Sequence, residues 1–208
     1  MKLLEKLLRE KGRIDGAPFS DLEVHRFLLY YELVLKWNPR LHLTTLVDPI
    51  LFFQRHLLES DFAVSLLNSE VSCVWDLGSG LGVPGIPVAI LKPTLSVNLV
   101  EAKRPKAIFL EEAINSLDLR DVKVLNTKIE SLERLPEGSC LMARAVEKMA
   151  ELIPEMIGIG GASSQLLLFG AASLEEIVKS HMSDGFKVEL HQLPNSDNRY
   201  LFNVYRST

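Results

Sequence analysis

The chain has 208 residues, 47% of them hydrophobic, a formal charge of −4 and two cysteines. That length buries one sizeable core and leaves no room for two full-sized domains, and the longest apolar run, VPGIPVAIL, is far short of a membrane span. Cys73 and Cys140 each sit in an apolar run and read as buried free thiols rather than a disulfide framework. The acidic balance argues mildly against a nucleic-acid partner, although basic residues cluster, five in residues 2–13 and three in EAKRPK. Glu5, Arg9 and Glu10 break what a secretory leader would need, so a soluble cytoplasmic protein, with no membrane association, is the expectation.

The first seventy residues are helical in pattern. SDLEVHRFLLYYELVLKWN opens with Ser20 three residues before Glu23, the spacing of a capping box that satisfies two free backbone N–H groups. Leu22, Phe27, Leu28, Tyr31 and Leu35 recur at steps of three and four and predict its buried face. NPRLHLTT is expected to break this helix, because Pro39 disfavours the helical conformation at Asn38. DPILFFQRHLLESDFAVSLL follows, with Asp48 as N-cap and Pro49 at the first helical position.

From residue 72 short β-type runs alternate with helical ones. SCVWDL, LSVNLVEA, VKVLN, CLMARA and SQLLLFG read as strands; GIPVAILK, KRPKAIFLEEAINSL, EKMAELIPEMI and SLEEIVKSHM read as helices. Strands that are apolar almost throughout, separated by helices, imply a parallel sheet covered on both faces. GFKVELHQL and RYLFNVYRS, with only PNSDN between them, read as a hairpin. The expected fold is α/β, a seven-stranded mixed sheet with a C-terminal antiparallel hairpin. A helical extension over residues 1–70 is expected to pack on a core of residues 71–208, effectively one domain.

The stretch WDLGSGLGVPGIP places Asp76 ahead of Gly78, Gly80 and Gly82. Glycines here remove Cβ atoms where a ligand can lie against the backbone, in the loop after the first strand of an open α/β sheet, where such folds bind ligands. Pro84 fits the start of the next helix, whose first N–H groups are expected to be free for ligand atoms. Gly80, Gly82 and Gly85 spell a dinucleotide fingerprint, with Glu101 about twenty residues on. Asp76, however, would repel a pyrophosphate and attract a cationic methionine amine, which favours S-adenosyl-L-methionine over NAD. Glu101, closing the second strand, can accept both ribose hydroxyl protons in either cofactor class.

At this point the residues resemble the bacterial small-subunit rRNA guanine-N7 methyltransferase family, RsmG or GidB. KWNPRLHLTT, RHLLES, DLGSGLGVPGIPVAI, VEAKRPKAIFL, NTKIESL and MARAV are similar to that family's motifs and follow its order from about residue 20 to the end. His42 stands where an asparagine is usual, and Phe169 where a lysine is common before the glycine. The resemblance implies a class I S-adenosylmethionine-dependent methyltransferase fold, Rossmann-like, acting on guanine N7 of 16S rRNA in its 530-loop region. It also implies a cofactor pocket of Gly78, Val83, Ile129, Glu130 and Arg144, with Ile129 and Glu130 at the adenine. Asp76, Ser79, Gly80, Gly82, Glu101 and Ala102 complete the expected set.

Guanine N7 carries an in-plane lone pair and no proton, so its methylation needs no general base. The five histidines are scattered without metal-ligand spacing and the cysteines form no paired-ligand pattern, so no metal is expected. Catalysis would rest on alignment, which can contribute roughly 7–11 kcal/mol, with Arg144 positioning the substrate through a planar fork suited to phosphate or guanine O6. Lys36, Arg40, Arg55, His56, Lys103, Arg104 and Lys106 are candidate RNA contacts. The expected partner is 16S rRNA, in the small subunit or an assembly intermediate, and the protein is expected as a monomer. Two other readings stay open: a methyltransferase acting on a small molecule or protein, and a cofactor- or RNA-binding module without activity.

Overall fold

The computed structural model describes residues 1–146, 149–160, 165–182 and 184–206. Glu147 and Lys148 of the run EKMAELIPEMI, Ser164 of SQLLLFG and Ser207 of RYLFNVYRS therefore lie outside the described residues. The N-terminal region forms α1 (Lys2–Lys11), α2 (Asp21–Leu41) and α3 (Pro49–Phe52), then a π-helical turn over Phe53–Leu58 that runs directly into α4 (Glu59–Ser65).

Ser20 and Glu23 close the expected capping box on α2, and the Asp48 side chain accepts from the Ile50 and Leu51 N–H groups at the start of α3. Two expectations for α2 fail. The helix passes through Pro39 and ends at Leu41, with His42 left-handed and its N–H bonded to the Asn38 carbonyl. Proline removes one helical bond near a helix end. The last turn is held instead by the Asn38 side chain, which both donates to and accepts from the Thr44 backbone at 2.9 Å. The buried face is also rotated: Phe27 and Tyr31 face the core with Val24, Tyr30 and Val34, while Leu22 and Leu35 are exposed. The two tyrosines take core positions because their hydroxyls find partners there, donating to the Leu81 and Val47 carbonyls at 2.6 Å.

Seven strands follow: β1 (Cys73–Leu77), β2 (Ser96–Val100), β3 (Val122–Leu125), β4 (Ser139–Arg144), β5 (Gln165–Gly170), β6 (Phe186–Gln192) and β7 (Tyr200–Arg206). Their order across the sheet is β3-β2-β1-β4-β5-β7-β6, parallel except where β7 pairs antiparallel with β5 and β6. The central strands β4 and β5 are buried almost throughout, whereas the edge strand β6 alternates between half-buried and exposed. Helices α5 (Gly85–Leu91), α6 (Arg104–Ser116), α7 (Met149–Gly160) and α8 (Glu175–Ser180) connect the strands.

The N-terminal helices share one apolar cluster with α5, α6 and one face of the sheet, while α7, α8 and the other face form a second cluster. Gln165 on β5 ties the end of α4 to the sheet: its amide donates to the Leu66 carbonyl and the Asn203 side chain, and its oxygen accepts from Asn68 N–H. Cys140 is buried as expected, but Cys73 is only half-buried, its sulfur accepting from the Asn98 side chain at 3.2 Å. Among the described residues no helix is long and apolar enough to cross a membrane.

Tyr30 is fully buried, so Tyr30→Phe strands the Leu81 carbonyl without its donor. The variant should lose about 1–3 kcal/mol of unfolding free energy in denaturant titration. A loss within error would mean that water replaces the hydroxyl.

Candidate active site

A cavity of about 900 Å³ lies over the carboxyl ends of the central strands. Residues 78–81 after β1, 100–103 after β2 and 127–130 after β3 line one end; residues 144–146 after β4 and 169–171 after β5 line the other. The loop after α2 adds Leu43 and Thr44, the π-helical turn and the start of α4 add Arg55, His56 and Glu59, and the hairpin adds Leu193 and Arg199. The strand order alone separates the two ends, since β3 and β5 lie on opposite sides of β1.

The three glycines of the loop do different things. A Cβ on Gly80 would meet only the Gly78 carbonyl within 4 Å, so this position presents bare backbone to the cavity, as expected. Its φ of +58° also belongs to the left-handed region that favours glycine. A Cβ on Gly78 would press on Val146 at 3.0 Å, across the cavity wall. Gly82 and Gly85 face inward, where a Cβ would stand 2.5 Å from Ile86 or 2.3 Å from Leu99. Those two glycines serve packing of α5 on the sheet, and Gly82 is not on the cavity wall.

Asp76 is buried beneath the loop, not on the cavity wall. Its Oδ2 accepts from Gly85 N–H at 3.1 Å, capping α5 from within, while Oδ1 has no hydrogen-bond partner. This corrects the expectation of a helix start open to a ligand: Asp76 takes Gly85 N–H, and the Ile86 and Val88 N–H groups bond to the Gly82 and Pro84 carbonyls. Pro84 precedes the first helical residue, after a cis Val83–Pro84 bond. Burial pushes the Asp76 carboxyl up to about 7, against the opposing hydrogen bond from Gly85.

The other residues expected around a cofactor converge. Glu101 is nearly buried and reaches across the loop: Oε2 accepts from Gly80 N–H at 2.9 Å and Oε1 from Lys103 N–H at 2.7 Å. The carboxylate is thus fixed by two backbone donors while it lines the cavity. Ser79, Val83, Ala102, Ile129 and Glu130 share that wall, Ile129 and Glu130 from a single 3₁₀ turn after β3. Ser79 is held by its hydroxyl bond to the Asp76 carbonyl at 2.8 Å.

Arg144 lines the opposite end, but its partner is neither Asp76 nor Glu101. Its Nη2 stands 3.1 Å from Oε2 of Glu59, a residue with no exposed surface. Arg55 Nε is 3.1 Å from the other Glu59 oxygen, and Arg199 donates to that same oxygen. The Arg144 guanidinium also lies over the Phe169 ring, 5.6 Å from its centroid, where a cation meets the negative face of the ring. His56 sits among these groups with Nε2 3.1 Å from the Thr44 hydroxyl. Burial, then Arg144 and Arg55, depress it to about 3, so the imidazole is neutral.

Of the expected RNA contacts, Arg55, His56, Lys103 and Lys106 reach the cavity; Lys36, Arg40 and Arg104 do not, and Lys36 pairs with Glu112 at 3.0 Å. Sequence reasoning missed Glu59 and Arg199. The i,i+4 spacing of Arg55 and Glu59 within RHLLES was a usable signal, whereas Arg199 lies 140 residues from its partner and carried none. Among the described residues the cavity wall carries six lysines and arginines against three glutamates. The acidic sign of the whole chain therefore misdescribes the surface that matters. Among the described residues no His, Cys, Asp and Glu group is arranged to hold a metal ion.

The family model "GidB: rRNA small subunit methyltransferase G" matches residues 23–198. The chain is 35% identical over 164 residues to ribosomal RNA small subunit methyltransferase G of Chloroflexus aggregans, covering 76% of this chain and 69% of that one. It is 36% identical over 172 residues to the protein of the same name from Xanthomonas oryzae pv. oryzae, covering 80% and 77%. Among solved structures, a SAM-dependent methyltransferase from Aquifex aeolicus superposes with a TM-score of 0.55 at 13% identity, covering 74% of this chain and 92% of that one, a likeness of fold.

The raised Asp76 carboxyl has a pH signature. Between 3.8 and about 7 the folded protein holds a proton that the unfolded chain has lost, so stability falls as pH rises through that window. Wild-type unfolding free energy, relative to Asp76→Asn, should fall by roughly 1.4 kcal/mol per pH unit there and level off outside it. A difference that stays constant with pH would mean that Asp76 ionises as it does in the unfolded chain.

Proposed function

The chain belongs to the rRNA small subunit methyltransferase G family, and from that premise we propose that it methylates guanine N7 in 16S rRNA with S-adenosylmethionine as donor. The observation that carries this reading is the two-ended cavity: bare Gly80 backbone and the fixed Glu101 carboxylate at one end, a cluster of arginines at the other. The residues fit the cofactor. The volume of about 900 Å³ exceeds what a nucleoside needs and leaves space for a base beside it. Glu101 and Glu130 supply carboxylates at the β2 and β3 ends for ribose hydroxyls and adenine, Ile129 and Val83 supply apolar wall, and residues 78–80 supply backbone.

When bound, the cofactor supplies an electrophilic sulfonium methyl. The chain's own residues then have to hold the base in line and keep water out, a positioning task that can contribute roughly 7–11 kcal/mol. No side chain needs to take a proton from N7. His56, neutral and buried, can offer hydrogen bonding without charge, and Arg144 holds donors at the substrate end. Asp76, buried beneath the loop and off the cavity wall, would act on the cofactor site only by shaping the loop through its bond from Gly85 N–H. The substrate would be the small subunit or an assembly intermediate, met in the cytoplasm by a single copy of the chain.

Gly80→Asp adds a side chain at a cavity-lining loop position where a Cβ would meet only the Gly78 carbonyl within 4 Å. It should cut methyl transfer to undermethylated small-subunit RNA by roughly 100-fold or more while leaving the thermal melt of the apoprotein within a few degrees. Equal transfer by both proteins would remove this loop from the mechanism. Wild-type affinity for that RNA should fall steeply and log-linearly with salt; a salt-independent affinity would argue for a small-molecule or protein substrate instead.

A further inference from the structure

Glu59 has no exposed surface and gathers three arginines from separate parts of the chain: Arg55 from the π-helical turn, Arg144 from the end of β4 and Arg199 from the hairpin. One carboxylate cannot neutralise three guanidinium groups, so the cluster keeps two positive charges in excess, and all four residues line the cavity. The pairing is also incomplete as hydrogen bonding. Arg144 Nη1 has no partner, although its side chain is only 11% exposed. Burial pulls both the Arg144 and Arg55 guanidinium groups down from their ordinary range, with the neighbouring arginines adding to the effect. A purely structural ion pair would match its charges and its donors; this one leaves both unmatched, in residues that line a cavity.

We propose that Arg55, Arg144 and Arg199, held together by Glu59, form an oxyanion site that takes the phosphate of the nucleotide whose base is methylated. Planar guanidinium forks suit phosphate oxygens, and the single negative charge of a phosphodiester would offset one of the two excess positive charges. The cluster lies over β4 and β5 and on the hairpin, away from the β2 and β3 ends that carry Glu101 and Glu130. A phosphate anchored there fixes the target nucleotide by its backbone, leaving its base free to turn toward the β1 end. Contacts of this kind position a nucleotide without reading its sequence. The carboxylate of the cofactor's methionine end has the same chemistry and is the competing occupant.

The site rests on the rRNA-methyltransferase reading for its substrate, and a mononucleotide test separates the two. With the full chain saturated by S-adenosylhomocysteine, NMR titration should show 5′-GMP binding about tenfold tighter than guanosine, the margin of one charge-assisted contact. Arg199→Ala should abolish that preference, Arg199→Lys should recover part of it, and calorimetric affinity for S-adenosylmethionine should be unchanged in both. Loss of cofactor affinity with the GMP preference intact would assign the arginines to the cofactor carboxylate and overturn the proposal. An absent preference in the wild type, or an unaltered one in Arg199→Ala, would overturn it as well. A preserved GMP preference in a protein that transfers no methyl group to rRNA would support this site and sink the rRNA reading alone. Glu59→Gln supplies a second variant that keeps the shape of the side chain: a folded Glu59→Gln protein should bind GMP less specifically because its arginines are no longer gathered.

Discussion

A carboxylate with almost no exposed surface sits under the glycine loop, and the geometry of the site follows from how that charge is accommodated. Asp76 is the penultimate residue of its strand, and its Oδ2 takes the Gly85 N–H at the first turn of α5 as a cap. That contact requires the helix to approach so closely that a Cβ on Gly85 would stand 2.8 Å from the carboxylate and 2.3 Å from Leu99. The chain between strand and helix must then turn sharply, which it does through left-handed Gly78, Gly80 and Gly82. Glu101 pins the outer side of the same turn through Gly80 N–H. Two carboxylates, one inside and one at the cavity wall, thus shape a loop whose exposed surface is backbone.

The N-terminal helices are part of this construction rather than an appendage. Tyr30 reaches from α2 to the Leu81 carbonyl, bracing the loop one residue from the Gly80 N–H that Glu101 holds. The π-helical turn before α4 brings Arg55, His56 and Glu59 to one cavity wall, and such turns recur where helices carry functional side chains. Glu59 then joins that wall to β4 and to the hairpin through Arg144 and Arg199. The arginine-lined end of the cavity therefore depends on three segments that no local pattern connects.

Much of this was legible in the sequence. The capping box at Ser20, the Asp48–Pro49 helix start, the strand–helix alternation and the closing hairpin are local signals, because N–H satisfaction and side-chain periodicity act within a few residues. The glycine loop and Glu101 were legible for the same reason, lying at the ends of adjacent apolar strands. The phase of α2 was not: hydropathy assigned Leu22 and Leu35 to the core, whereas tyrosine hydroxyl partners on other elements decided it. Pro39 misled because its helical conformation is held by Thr44, beyond the helix.

By itself the sequence determined the sheet, the bare loop and the family, since these rest on short-range patterns repeated in a fixed order. Only the tertiary structure decided what each charge does. Burial is a property of the packed chain, and it turned Asp76 into an internal cap, His56 into a neutral group and Glu59 into the hub of three arginines. Coulombic pairing across 140 residues has no signature in sequence spacing, so the basic wall of an acidic protein emerges only when the strands and the hairpin close around it.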